Sequence, residues 1–273
     1  MGLRISTNLA SINARRNLSR SSAALQRNFE RLSTGKRIAR AADDAAGLSI
    51  SSRLRKEIRS LDQAARNAQD GISLVQTADG ALSEIGDILV RMRELAVQAN
   101  NGTLNSTDQD TLQQEFAQLQ SSIDQIANTT DFNGIDLLNG AGSITLQVGA
   151  DATTNDTLSV SFTDATASGL SIDTLDIGST GDPSAAMVAI DAAINTVSDA
   201  RADFGSYQNR LDATISNLAN RSENLSAANS RILDVDVAAE TAMMTKNTIM
   251  QQAGISVLSQ ANLQPQAALS LLG

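Results

Sequence analysis

Two short groups of residues have side chains of the kinds that do chemistry. Gly35-Lys36, within S-T-G-K-R (33–37), could belong to a phosphate-cradling loop, and Asp43-Asp44 offers two carboxylates for acid–base work. Neither has the spacing its chemistry needs. A phosphate loop requires an earlier glycine and a Ser or Thr after the lysine, whereas Arg37 follows here. Adjacent residues on a helix point about 100° apart, so Asp43 and Asp44 do not converge on one substrate. The acidic middle of the chain lacks the D-x-D-x-D-G spacing of a calcium loop. Neither Cys nor His occurs, which removes disulfides, thiolate and histidine catalysis, and the usual zinc, haem and iron–sulfur ligands. The residues point to no enzyme, no cofactor and no metal.

The elements that would position such groups are therefore the more informative layer. Aromatic residues make up 2% of the 273, so Leu, Ile, Val and Ala must supply the buried surface, which suits long helices packed side by side. No stretch of about 18 apolar residues is present to cross a bilayer. The opening MGLRISTNLASINARRNL has no apolar core of a cleaved signal peptide, although Gly2 and Ser6 match the short myristoylation pattern. Charge is segregated: residues 1–60 hold 13 Lys/Arg and 4 Asp/Glu, and the remainder 8 and 26. The basic end carries one aromatic, Phe29, and spreads its arginines around helical turns, which favours a solvated or partner-facing helix over nucleic acid.

Seven-residue periodicity runs along both sides of the middle. Leu54, Leu61, Ala68, Val75, Leu82, Leu89 and Ala96 share one register, with Ile85, Met92 and Ala99 on a neighbouring track. After N-N-G-T-L-N-S-T-D-Q-D comes Leu112, Phe116, Leu119, Ile123 and Ile126; Asn101-Gly102 offers a turn, and Ser106, Thr107 or Asp108 a cap. Downstream, Ile190, Val197, Phe204, Leu211, Leu218, Leu225, Ile232 and Ala239 again repeat by seven. Three such runs predict one antiparallel bundle, because a lone seam cannot bury itself. Residues 141–185 differ: S-I-T-L-Q-V (143–148) and T-L-S-V-S-F (157–162) alternate with period two and predict a hairpin. The rest of that Ser/Thr/Asp-rich segment reads as a polar surface loop. Single apolar stripes mark the ends: Ile5, Leu9 and Ile12, then Leu25, Phe29 and Leu32, and, near the other terminus, Met243, Met250 and Val257 followed by A-A-L-S-L-L. A methionine stripe is usually core and otherwise an adaptable partner surface.

R-L-S-T-G-K-R-I-A-R-A-A-D-D-A-A-G-L-S-I-S (31–51) resembles the N-terminal signature of bacterial flagellins. So do the opening segment, R-M-R-E-L-A-V-Q-A-N-N-G-T (91–103) and D-F-N-G-I-D-L-L-N-G (131–140); 208–228 and Q-Q-A-G-I-S-V-L-S-Q-A-N (251–262) resemble the C-terminal region. The resemblance implies a mainly α fold: a long antiparallel heptad bundle, paired terminal helices and a small β-hairpin. Its divisions would be a filament-core helix and linker (1–42), bundle helices (43–140), a variable region (141–185), a third bundle helix (186–235) and a C-terminal core helix (236–273).

The same resemblance implies a subunit that polymerises with identical copies into an extracellular flagellar filament, exported without a cleaved signal. Gly35, Asp43, Asp44 and Gly47 fall in the link between inner and outer layers, where the acids could pair with an adjacent subunit. Leu25, Phe29, Leu32, Met243, Met250 and Val257 would pack the terminal helices. Further implied partners are an export chaperone at the C-terminal region, filament-cap and hook-junction proteins, and a vertebrate innate receptor touching Arg91, Leu95 and Glu115. Two departures stand out: the middle is short, and Gly273 replaces a frequent basic residue. A hook–filament junction protein and a cytosolic coiled-coil adaptor are the alternatives.

Overall fold

Among the described residues, each of the five α-helices begins at a side chain that accepts hydrogen bonds from amides of its first turn. Asn8 accepts from Ser11 N at the start of α1 (Leu9–Thr34), and Asp44 from Gly47 N at the start of α2 (Ala45–Ala99). Asn105 accepts from Asp108 N at α3 (Ser106–Thr129). Asp182 serves Ser184 and Ala185 at α4 (Pro183–Leu233), and Asp236 serves Ala238 and Ala239 at α5 (Val237–Leu269). First-turn amides have no partner inside the helix, so these caps set where helices can start. The cap of α3 is Asn105, one residue ahead of the Ser/Thr/Asp trio expected from sequence. Pro183 takes the first position of α4, where its missing N–H costs nothing.

The computed structural model describes residues 7–140 and 142–269, so Gly2, Ile5, Ser6, the A-A-L-S-L-L stripe beyond Leu269 and Gly273 lie outside the described residues. Two compact units result. One runs up to Lys56 and resumes at Asn224; the other is Glu57–Glu223.

In the second unit the expected seam is the core. Leu61, Ala68, Val75, Leu82, Leu89 and Ala96 are buried, as are Ile85, Met92 and Ala99, and α4 answers with Ile190, Val197, Phe204, Leu211 and Leu218. Ion pairs link the two helices at Arg93–Asp191, Asp79–Arg201 and Glu57–Arg221. Partners fall progressively earlier on α2 as they fall later on α4, so the helices are antiparallel. α3 adds Phe116, Ile123 and Ala127. The downstream register does not run on to Ala239. Leu225 and Ile232 are half-exposed, Ala239 is exposed, and the chain leaves the helix at Leu233, which is buried instead.

β3 (Gly142–Gln147) and β4 (Thr157–Phe162) pair antiparallel with Ile144 opposite Val160. A shorter pair, β1 (Asp131–Phe132) and β2 (Ile135–Asp136), turns through Asn133 and Gly134, both at positive φ. That conformation belongs to the primed hairpin turns that Asn-Gly favours. The segment after β4 is not a surface loop. Ala165, Ala167, Leu170, Ile172 and Ile177 enter the core, and Phe162 meets Phe204 at 5.5 Å between ring centres. The polar face of α3 holds the backbone of this segment. Asp124 accepts from Ala167 N, Gln113 from Ile177 N and Asp110 from Ser179 N, while Gln120 donates to the Ile172 carbonyl. These side chains satisfy backbone groups that an irregular buried segment would otherwise leave unpaired.

Candidate assembly surface

In the first unit α1 packs against α5, and many of the residues between them are polar and belong to no apolar stripe. The inward positions of α1 are Ser11, Ala14, Leu18, Ser21, Leu25, Asn28 and Leu32; those of α5 are Glu240, Met244, Asn247, Gln251, Gly254, Leu258 and Ala261. Both sets follow alternating steps of three and four, the seam of a two-stranded coiled coil, yet about half are polar.

Hydrogen bonding and ion pairing account for several of the polar members. Asn8 donates to the Ala261 carbonyl at 2.7 Å, Ser11 to the Asn262 side-chain oxygen at 2.9 Å, and Gln251 to Ser22 Oγ at 3.2 Å. Asn28, 6% exposed, satisfies both ends of its amide when it donates to the Ala24 carbonyl and accepts from Met244 N. Glu240 is buried 3.9 Å from Arg31, whose guanidinium also reaches Asp43 at 4.0 Å. Leu18 packs over Gly254, where an added Cβ would meet its Cδ1 at 3.5 Å in ordinary contact.

The apolar stripe expected to pack the terminal helices splits. Leu25 and Leu32 are half-buried in the seam. Phe29, Met243, Met250 and Val257 are not: they are 55%, 55%, 53% and 58% exposed, one step to the side of it. Ile249, Ile255 and Leu263 are exposed elsewhere around α5, and Leu9 and Ile12 on α1. The intrachain partner of each terminal helix thus takes the mixed seam and leaves these apolar side chains uncovered.

The link residues each have an intrachain role. Gly35 ends α1 in the left-handed region at φ 69, a conformation that glycine reaches without penalty. Past it the two connecting strands of backbone meet. Arg37 N donates to the Leu233 carbonyl at 2.7 Å, Val235 N to that of Gly35 at 3.1 Å, and Lys36 bridges Asp234. Ile38 is buried at 2% exposure. Asp43 accepts from the amides of Arg40 and Ala39. The Arg40 amide contributes most to holding its carboxyl below the usual range, the Ala39 amide and the Arg31 and Arg40 charges add to this, and partial burial opposes it. Asp44 caps α2, and Gly47 sits beneath its carboxylate and Ile38, where an added Cβ would collide with both. The two acids therefore already hold their own chain.

Of the triad assigned by resemblance to a receptor, Arg91 and Glu115 form an exposed ion pair at 2.8 Å, with Glu94 also on Arg91. Leu95 is 1% exposed, a member of the bundle core. Among the described residues no group of three or more Asp or Glu is placed to hold a metal ion, and no helix is long and apolar enough to cross a membrane.

Comparison with known proteins decides the family. The model of the bacterial flagellin N-terminal helical region matches residues 5–143, and that of the C-terminal helical region matches 187–272. The chain is a member of the bacterial flagellin family. A flagellin of Halalkalibacterium halodurans is 48% identical over 98% of this chain and 99% of its own length. A flagellin of Bacillus subtilis is 44% identical over 99% and 100%. The crystal structure of Bacillus cereus flagellin is 38% identical, with a TM-score of 0.48, covering 60% of this chain and 94% of that one. This flagellin is accordingly a structural subunit of the flagellar filament, in a short form in which residues 144–186 lie between the two matched regions.

Proposed function

We propose that this flagellin polymerises through the uncovered apolar side chains of its terminal helices, with identical copies covering what the α1–α5 seam leaves bare. One observation carries the reading. Met243, Ile249, Met250, Ile255, Val257 and Leu263 are each more than half exposed on one helix, while large apolar side chains of the Glu57–Glu223 unit are mostly buried. Exposed apolar surface of that extent on a helix marks a contact surface. The methionines suit a contact that must be made several ways, because identical subunits in a helical polymer meet along more than one direction. The link residues Gly35, Asp43, Asp44 and Gly47 would act by setting the path between α1 and α2 within each subunit.

The remaining partners follow the family resemblance. An export chaperone would cover the same C-terminal side chains before assembly, and cap and junction proteins would meet them at the filament ends. An innate receptor would take Arg91 and Glu115 from the surface, with Leu95 supporting α2 from below. Secretion as a filament outside the cell accompanies this reading. Met250→Glu with Val257→Glu tests it: seeded polymerisation should be lost while the monomer keeps its circular dichroism and melting temperature. Undiminished filament growth by this variant would move the assembly contact elsewhere.

A further inference from the structure

The terminal helix α1 carries a row of arginines that no acid among the described residues neutralises. Arg16, Arg20 and Arg27 lie at i, i+4 and i+11 on the side of α1 away from the α5 seam, with Arg15 beside them. All four are exposed, and among the described residues none has a carboxylate within 4.0 Å. Their packing partner has nothing to offer. From Thr241 to Leu263, α5 contains one charged residue, Lys246, and no acid. The imbalance extends to the whole unit. Up to Lys56 and from Asn224 onward the chain holds 14 Lys/Arg and 6 Asp/Glu, a balance of +8, whereas Glu57–Glu223 holds 7 and 24, or −17.

A complementary row exists on the other unit. On α2, Asp70 and Glu84 are two heptads apart and Asp87 follows three residues on, all pointing away from the Ala68–Val75–Leu82–Leu89 seam. They are exposed and unpaired among the described residues, unlike Asp79 and Glu57, which already hold α4 arginines. At about 1.5 Å per residue the acid row extends over roughly 25 Å and the arginine row over roughly 16 Å, so one can cover the other.

We propose that in the polymer the arginine row of α1 docks on the acidic α2 flank of a second copy of this chain. The inference rests on the self-assembly reading above and adds to it a second, electrostatic contact. Packing the positive units of many copies together would be repulsive if nothing opposed it. A negative flank on the neighbouring copy offsets that repulsion and also fixes direction, since basic meets acidic only in one sense along the chain of subunits. The exposed apolar side chains of α5 supply adhesion without orientation; the charge rows supply orientation.

Elongation of sheared seeds prepared from the same chain, followed by light scattering at about 50 mM salt, tests the pairing, with ionic strength kept low so that charges a few ångströms apart remain unscreened. The triple variant Arg16→Glu, Arg20→Glu, Arg27→Glu should elongate its own seeds about tenfold more slowly than wild type, the scale of an electrostatic on-rate effect. A chain that adds Asp70→Lys, Glu84→Lys and Asp87→Lys should recover most of the rate, because the pairs are restored with signs exchanged. Circular dichroism of each monomer reports that the helices are retained; if the sextuple chain does not fold, the triple Lys variant mixed with the triple Glu variant serves in its place. Triple reversal without effect on elongation overturns the docking. Slowing that the compensating change does not relieve overturns α2 as the partner. Failure of wild type itself to elongate would instead sink the self-assembly reading.

Discussion

Truncation of Phe204 is the sharpest test of how the bundle and the middle segment hold each other. Phe204 is 1% exposed on α4 and belongs to the largest core cluster, where its ring lies 5.5 Å from that of Phe162 at 56°. Phe204→Ala removes a whole buried ring, for which losses of about 3–5 kcal/mol are typical when the cavity cannot collapse. Collapse is opposed here because the cavity walls come from separate elements: α4, β4 and the 165–177 segment. In a folding unit of this size each kcal/mol lowers the melting temperature by about 2–4 °C, so a fall on the order of 10 °C is expected. Phe162→Ala should also destabilise, by a little less, since Phe162 is 5% exposed. The double variant should cost less than the two singles together, by the ~0.5–1.5 kcal/mol that a tilted aromatic pair adds beyond burial. Urea unfolding of the monomer, followed by circular dichroism, measures all three variants. Strict additivity would show that the rings do not interact. A loss below about 1 kcal/mol for Phe204→Ala would remove it from the core and with it the downstream heptad register.

Two further outcomes follow from the link. Gly35→Ala should destabilise the α1–α5 unit by about 1–2 kcal/mol because φ 69 is strained for any side chain, whereas Gly102→Ala, in open space without positive φ, should leave stability unchanged; hydrogen exchange in α1 compares them. The Asp43 carboxyl is held below its ordinary value of 3.8, chiefly by the Arg40 amide, so its folded pKa is the lower of the two. Its contribution is therefore complete above about pH 4 and lost as pH falls through the folded value; Asp43→Asn should abolish that part of the acid dependence, and an unaltered acid-unfolding profile would refute the assignment.

The periodic parts of this flagellin were legible from residues alone. A heptad of Leu, Ile, Val and Ala from Leu61 to Ala96 has only one way to hide from water, so the seam, its helical state and the need for a partner helix follow from local pattern. Period-two alternation located β3 and β4. Three matters lay beyond that pattern. The α1–α5 seam uses Ser11, Asn28 and Gln251, which carry no hydrophobic period; their inward orientation exists because the opposite helix supplies hydrogen-bond partners for them. The Met243–Met250–Val257 stripe reads as core by composition, yet two helices in contact can cover only one side of each other, and the seam on offer was already occupied. The segment after β4 reads as polar loop because Thr, Ser, Gly and Asp dominate it, but its few apolar residues are buried and its backbone is satisfied by Asp110, Gln113 and Asp124. Local periodicity determined which residues form helices and strands, since burial of a repeating apolar face depends on the chain's own spacing. Tertiary structure decided which polar groups turn inward and which apolar groups stay out, because that depends on partners distant in sequence.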